Sequence, residues 1–259
     1  MIRGHLDDIE AALVRDASGV YTDAEIEGLP GPVRRFFQAA LAGASLAHSA
    51  RLRMRGRIRI GRWLPFRAVE VLSPHVGFVW AARVAGIIVG SDRFVDGHGA
   101  MDWKLAGLIR VMHAEGSDVA RSAAERAGAE ALWVPTALLP RFGVEWAAAD
   151  DNHISAQYRI ADYPVHLDYT LNDGGRIRSV VFDRWGDPEG SGEYGPHSFA
   201  GEFTAHATFD GMTIPSEGRL GWHYGTERWS QGEFFQYRIT DMELYPCAPT
   251  TRKRPSPRP

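Results

Sequence analysis

The sequence predicts a mainly β protein with covering helices (α+β), built on a large curved antiparallel sheet, half-barrel or barrel. Three observations lead there. From Leu46 onward the hydrophobic period drops from 3.6 residues to 2. Short hairpin signatures separate the alternating runs. One Ala-rich helical stretch interrupts the strands midway, without the regular βαβ alternation of a parallel sheet.

The elements follow in order. Residues 5–15 place Leu6, Ile9 and Leu13 at helical spacing. A second helix runs from Pro32 to Ala42, opening on a proline and stopping at Gly43. Val33, Phe36, Phe37, Ala40 and Leu41 form its apolar face, with Arg34, Arg35 and Gln38 turned outward. In RLRMRGRIRI the arginines fall at 51, 53, 55, 57 and 59 and alternate with Leu52, Met54, Ile58 and Ile60, so one face is core and the other basic. Such a row binds an anionic head group or polyanion, or it solvates and protects an exposed or edge strand. Further β-rich runs are Phe66 to Leu72, Val76 to Val84, Ile87 to Val95, Ile154 to Ile160, Val165 to Leu171, Ile177 to Trp185, Phe199 to Phe209, Thr213 to Tyr224 and Phe234 to Leu244. Asn172-Asp173-Gly174-Gly175 and Asp210-Gly211 read as hairpin turns. Residues 117–132 read as a helix with Ser117 or Asp118 as N-cap, ended by Pro135 and followed by a turn at Thr136 to Leu139. The predicted organisation is N-terminal helices over 1–45 and a single sheet domain over 46–245 with a helical insertion at about 117–139. A disordered basic, Pro-rich tail is expected over 246–259.

Composition sets the limits. At 259 residues with 44% hydrophobic and 24% charged residues, the chain can bury a sizeable core without cross-links. Its single cysteine, Cys247, leaves no disulfide framework and no Cys-based zinc site, which favours a reducing compartment. The net charge is −3, and Arg252, Lys253, Arg254 and Arg258 lie in the last nine residues, so the preceding body carries about −7. A body of that sign is not expected to bind nucleic acid. Asp7, Asp8 and Glu10 occupy the place of a basic signal start, and no run approaches the length of a membrane span. A cytoplasmic protein is expected.

GxSxG, Walker-loop and HExxH patterns are absent, and Gly97-His98-Gly99 lacks a third glycine. The common serine hydrolases, NTPases, zincins and Rossmann enzymes are therefore not expected. The histidines form no metal-ligand pairs, so neither a metal nor a cofactor is expected. Three places can carry chemistry. In SDRFVDGHGAMDWK, 91–104, Asp96 and His98 could act together as a base in a glycine-rich loop; the other reading is a hairpin with Asp96-Gly97 as its turn and an Asp92–Arg93 ion pair. Glu130, three residues before Trp133, is a candidate general acid in an apolar setting, or a solvent-facing carboxylate beside a core Trp. On the Phe199 to Phe209 run, Glu202 and His206 share a face, lining a cavity wall or facing solvent. Trp80, Trp133, Trp185 and Trp222 are candidate walls of a ligand cavity or plain core, and Arg83 and Arg184 can orient a ligand's polar end.

Several phrases together carry a resemblance: LPGPVRRFFQAAL at 29–41, GFVWAARV at 77–84, SDRFVDGHGAMDWKLAGL at 91–108, AEALWVPTALLP at 129–140 and DGMTIPSEGRLGWH at 210–223. In order and spacing they resemble a bacterial family catalogued as a domain of unknown function, over about 29–245. The resemblance implies no activity. It implies a curved antiparallel sheet with covering helices similar to the lipoprotein-carrier (LolA-like) fold, which holds acyl chains in its concavity; unlike that carrier, this sequence shows no export signal. Two functions are open: a binder of an apolar or amphipathic small molecule with a helix as lid, or a cofactor-free isomerase, cyclase or hydrolase of a hydrophobic metabolite. A protein-interaction module is a further alternative.

Overall fold

The computed structural model describes residues 2–14, 21–42, 44 and 46–246. Cys247 and the basic tail lie outside the described residues. The alternating segments form thirteen strands: β1 (Ala47–Ile60), β2 (Arg62–Ser73), β3 (Gly77–Val84), β4 (Ile88–Val95), β5 (His98–Leu105), β6 (Ile109–Glu115), β7 (Glu145–Ala148), β8 (His153–Ile160), β9 (Tyr163–Leu171), β10 (Ile177–Gly186), β11 (Gly195–Phe209), β12 (Met212–Trp222) and β13 (Glu233–Pro246). They join into one antiparallel sheet in the order β6-β5-β4-β3-β2-β1-β13-β12-β11-β10-β9-β8-β7. The sheet is curved but open, because β6 and β7 are its edges and do not pair with each other. Of the two expected closures, the half-barrel describes it and the closed barrel does not.

Among the described residues four helices accompany the sheet: α1 (Ile2–Leu13), α2 (Gly31–Leu41), α3 (Ser117–Glu130) and the single turn α4 (Trp229–Gly232). None of the described helices is long and apolar enough to cross a membrane. α2 buries the expected face, Val33, Phe36, Phe37, Ala40 and Leu41. Arg35 does not look out as expected; its guanidinium bonds the carbonyl of Asp151 and Asn152 Oδ1. The start of α3 departs from the expected cap: Gly116 is the N-cap, at φ 114°, and no side chain caps the helix. The helix ends at Glu130, and 3-10 turns at Ala131–Trp133, Pro135–Leu138 and Pro140–Phe142 continue the insertion.

α3 and these turns fill the inner face of the sheet. Gly99 on β5 makes this possible, because a Cβ there would lie 2.5 Å from Ala120 Cα. At the other end of α3, Gly128 meets Val165 of β9, and Tyr158 Oη donates to the Gly128 carbonyl at 2.6 Å. One helix thus spans the first and second halves of the sheet. Trp133, Leu132, Leu138 and Leu139 complete the core, with Trp133 Nε1 donating to the Pro215 carbonyl at 3.1 Å. α1 lies on the opposite face, where Leu13 and Ile9 pack on Val71 and Val79.

The hairpin reading of 91–104 holds: β5 follows the Asp96-Gly97 turn and pairs along β4 from Val95↔His98 to Ile88↔Leu105. β6 has no counterpart among the alternating runs of the sequence. On β11 the strict alternation is broken by register shifts between Phe203 and His206. Glu202 therefore pairs with Arg219 at the surface, whereas the half-buried His206 sits beside Phe36 and Ala40 of α2.

Candidate functional site

Two sites arise from this architecture, one on each face of the sheet. The inner one is a buried ionic cluster. Arg126, on the middle of α3, points at the sheet and meets three carboxylates: Glu130 Oε1 at 2.7 Å, Asp92 Oδ2 at 3.2 Å and Glu70 Oε1 at 3.7 Å. The guanidinium also lies 4.4 Å from the Phe78 ring and 5.5 Å from that of Trp80. Asp92 accepts a further bond from Trp103 Nε1 at 2.8 Å.

Glu70 is fully buried, and neither of its oxygens has a hydrogen-bond partner. Burial, and then the charge of Glu130, push its pKa well above the ordinary carboxylate range against the pull of Arg126. Asp92 is also raised by burial, with Arg126 and the Trp103 bond opposing. Burial works against the charge on Arg126 too, but the three carboxylates, Glu130 first, outweigh it and hold its pKa above the guanidinium norm. A proton retained on Glu70 leaves two carboxylates facing Arg126, and Arg184 stands nearby over the rings of Phe199 (4.9 Å) and Trp222 (5.2 Å). Burial first, then repulsion by Arg126, brings Arg184 down to about 10, so it stays charged at neutral pH.

This cluster gathers Glu130, Arg184, Trp80 and Trp222 from the sequence candidates. Trp185 joins through the helix: its backbone N–H donates to Glu125 Oε2, its indole donates to Asp118 Oδ1 at 2.8 Å, and Arg121 covers its ring at 3.9 Å. Trp80 and Trp133 are buried, with their rings packed in the core. Asp96 and His98 stay apart from all of these. They lie exposed in the β4–β5 hairpin, where Asp96 and Gly97 both adopt positive φ, and the imidazole Nδ1 bonds the Asp96 backbone carbonyl rather than its carboxylate. The Asp92–Arg93 ion pair does not form, because neighbours on a strand point to opposite faces and Asp92 goes to Arg126. Neither of the two large cavities is lined by a member of the cluster. Among the described residues no group of three His, Cys, Asp or Glu side chains is placed to hold a metal ion.

The outer site is built by the arginine row. β1 is a central strand paired with both β2 and β13, so edge protection in the finished sheet does not account for the row. Arg55 stands opposite Arg67, and Arg67 opposite Arg83, in one line across three strands. Like charges in direct register destabilise a sheet. Among the described residues Arg55, Arg67, Arg83 and Arg93 have no carboxylate partner.

One row along, Arg53, Val69, Ala81 and Ser91 are successive cross-strand neighbours, so small and apolar side chains make a floor between the cations. The result is an open cavity of about 970 Å³, lined by Arg53, Arg55, Arg67, Arg83, Arg93 and Lys104 around Val69, Ala81 and Val89, with Asp102 as its one acidic side chain. A second cavity of about 660 Å³ adjoins it over Arg57, Pro65 and Arg238. Lys104 and Arg110 share Asp102, and Arg53 contacts Asp241 at 3.3 Å. Arg83 was legible as an orienting residue; Arg67 was not singled out, and Arg93 was read as the ion-pair partner of Asp92.

Comparisons with known proteins add the following. No curated protein matches the chain. A LolA superfamily protein from Nitrosomonas europaea is similar in structure, with a TM-score of 0.45 and 9% identity over 83% of this chain and 92% of that one. A DUF1329 family protein from Desulfovibrio piger gives a TM-score of 0.45 and 9% identity over 82% of this chain and 90% of that one. A family model covers residues 19–234, which takes in every residue of both sites except those on β13, and the chain belongs to that family, a family of unknown function (DUF6544).

Proposed function

We propose that the protein binds an anionic amphiphile in the open arginine-lined cavity on the outer face of the sheet, away from α3. The acyl portion lies on Val69, Ala81 and Val89, and the acidic head meets Arg55, Arg67 and Arg83. The observation that carries this reading is the three-arginine line in cross-strand register, which among the described residues makes no ion pair, the cavity's one carboxylate, Asp102, being held by Lys104 and Arg110. Such an arrangement works against stability unless an anion completes it. The size supports the same reading, since small-molecule sites occupy roughly 300–1,000 Å³. On the inner face α3 and the turns after it pack Leu132, Trp133, Leu138 and Leu139 into the core.

Isothermal titration with laurate, dodecanol and inorganic phosphate tests the proposal. Laurate is expected to bind more tightly than either the uncharged chain or the chainless anion. The double variant Arg67→Glu, Arg83→Glu should weaken laurate by about tenfold or more, equivalent to ~1.4 kcal/mol. Both side chains are exposed, so its thermal melting should stay close to that of the parent. Laurate that fails to bind, or that binds the charge-reversed protein equally well, would overturn the reading.

A further inference from the structure

Six of the seven exposed large hydrophobic side chains among the described residues lie at one end of the sheet: Ile60, Ile87, Leu108, Ile109, Val111 and Met112. They belong to the β1–β2, β3–β4 and β5–β6 hairpins and to the edge strand β6, and antiparallel order brings these three hairpin turns to the same end. The turns are direct neighbours in space. Ala85 N donates to the Pro65 carbonyl at 2.8 Å, and Ala106 N donates to the Ile87 carbonyl at 2.8 Å. Leu108 is 85% exposed, the extreme of the set.

Charge accompanies this apolar rim. Segments 55–67, 83–91 and 104–112 contain Arg55, Arg57, Arg59, Arg62, Arg67, Arg83, Lys104 and Arg110, and no Asp or Glu. Just behind the β1–β2 tip, the half-buried Trp63 carries the guanidinium groups of Arg57 and Arg59 at 5.5 and 6.0 Å from its ring. The order from the tip inward is therefore apolar side chains, then an indole with arginines, then the arginine-lined cavity. That order matches the layers of a lipid bilayer surface, where hydrocarbon is followed by the headgroup zone that favours Trp and Arg. The body as a whole is acidic, so this end is a local exception to the charge of the molecule.

We infer that these three hairpin tips dock the protein on an anionic lipid bilayer, with Ile60, Ile87 and Leu108 entering the headgroup–acyl boundary and the neighbouring arginines meeting acidic headgroups. Tip insertion adds buried apolar area to electrostatic attraction, the two terms that make surface binding depend on lipid composition. The inference goes beyond the amphiphile site: it rests on the tips, which the cavity does not need, and it names a surface from which an amphiphile would reach the cavity.

Co-sedimentation of the full chain with phosphatidylcholine vesicles, with and without phosphatidylglycerol, tests it. The protein should pellet with the mixed vesicles and stay largely in solution with phosphatidylcholine alone. The double variant Ile87→Ser, Leu108→Ser should lower partitioning by about tenfold. Both positions are exposed, so its melting temperature should be unchanged, and Arg67 and Arg83 are intact, so laurate should bind as before. A parent protein that ignores both vesicle types, or a variant that pellets like the parent, would overturn the inference. A self-association that the same variant abolishes, with no vesicle binding by the parent, would also overturn it and assign the patch to a second copy of the chain. Retained laurate binding alongside absent vesicle binding would sink the docking surface alone.

Discussion

Arg126 holds three largely buried carboxylates, of which Glu70 is fully buried, and the arrangement ties stability to pH. The folded chain keeps the Glu70 proton more tightly than the unfolded chain does. That contribution is complete below the unfolded carboxylate pKa, and it is lost as pH rises through the higher folded value. Asp92, raised by the same burial, acts in the same direction. Urea unfolding from about pH 5 to about pH 8 should show a falling contribution in the parent and a flatter profile in Glu70→Gln; parallel profiles would refute the account. Removing the cation is worse than removing an acid. Arg126→Met leaves buried carboxylates without a partner and should destabilise by about 3–5 kcal/mol. Glu130 was legible because it closes an Ala-rich helix just before Trp133. Glu70 was not singled out, although it carries a signal: it falls in phase with Phe66, Ala68 and Leu72, the inward set of its strand. A charge on the apolar phase of an alternating strand is the mark of a partner elsewhere in the chain.

α3 is the element that couples the two halves of the sheet, and its seat depends on what is missing at position 99. A side chain there would meet the helix backbone at Ala120, which cannot yield like the end of a flexible side chain. Gly99→Ala should lower stability by about 1–3 kcal/mol through overpacking, as read by thermal or urea unfolding. An unchanged midpoint would show that the helix can lift without loss. The helix itself was readable from its alanines. Its crossing of both half-sheets was not, because that depends on contacts between Gly99, Ala120, Gly128 and Val165, which lie far apart in sequence. The same distance hid the second role of Gly99. The glycines that suggest a loop at 97–99 make one residue of turn and one point of close approach, and the strand begins between them. Local composition reports flexibility there, whereas the tertiary structure uses it for proximity.

At the scale of the molecule, a body of about −7 carries one basic face. Because the guanidinium groups of Arg55, Arg67 and Arg83 are exposed, salt should screen their attraction for an acidic head. Laurate affinity should therefore decline as sodium chloride rises from about 0.01 M, where the Debye length is about 30 Å, to about 1 M, where it is about 3 Å. A salt-independent affinity in the same titration would place the binding on apolar contact alone. The arginine alternation was plain in the sequence; that its strand lies at the middle of the sheet was not, since the partner that encloses it comes from the other end of the chain.

That partnership sets an order of events during synthesis. β1 pairs with β13, from Ala47↔Pro246 to Ile58↔Phe235, so the strand that joins the two half-sheets is synthesised after the other twelve. Until it arrives, β1 offers an open row of backbone donors and acceptors to any neighbouring nascent chain, and the wait is long because the contact is among the least local in the fold. Five arginines at alternate positions make that temporary border a poor template for cross-chain pairing. Before β13 arrives the row acts as a gatekeeper, and afterwards the same side chains remain as the basic wall of the finished sheet.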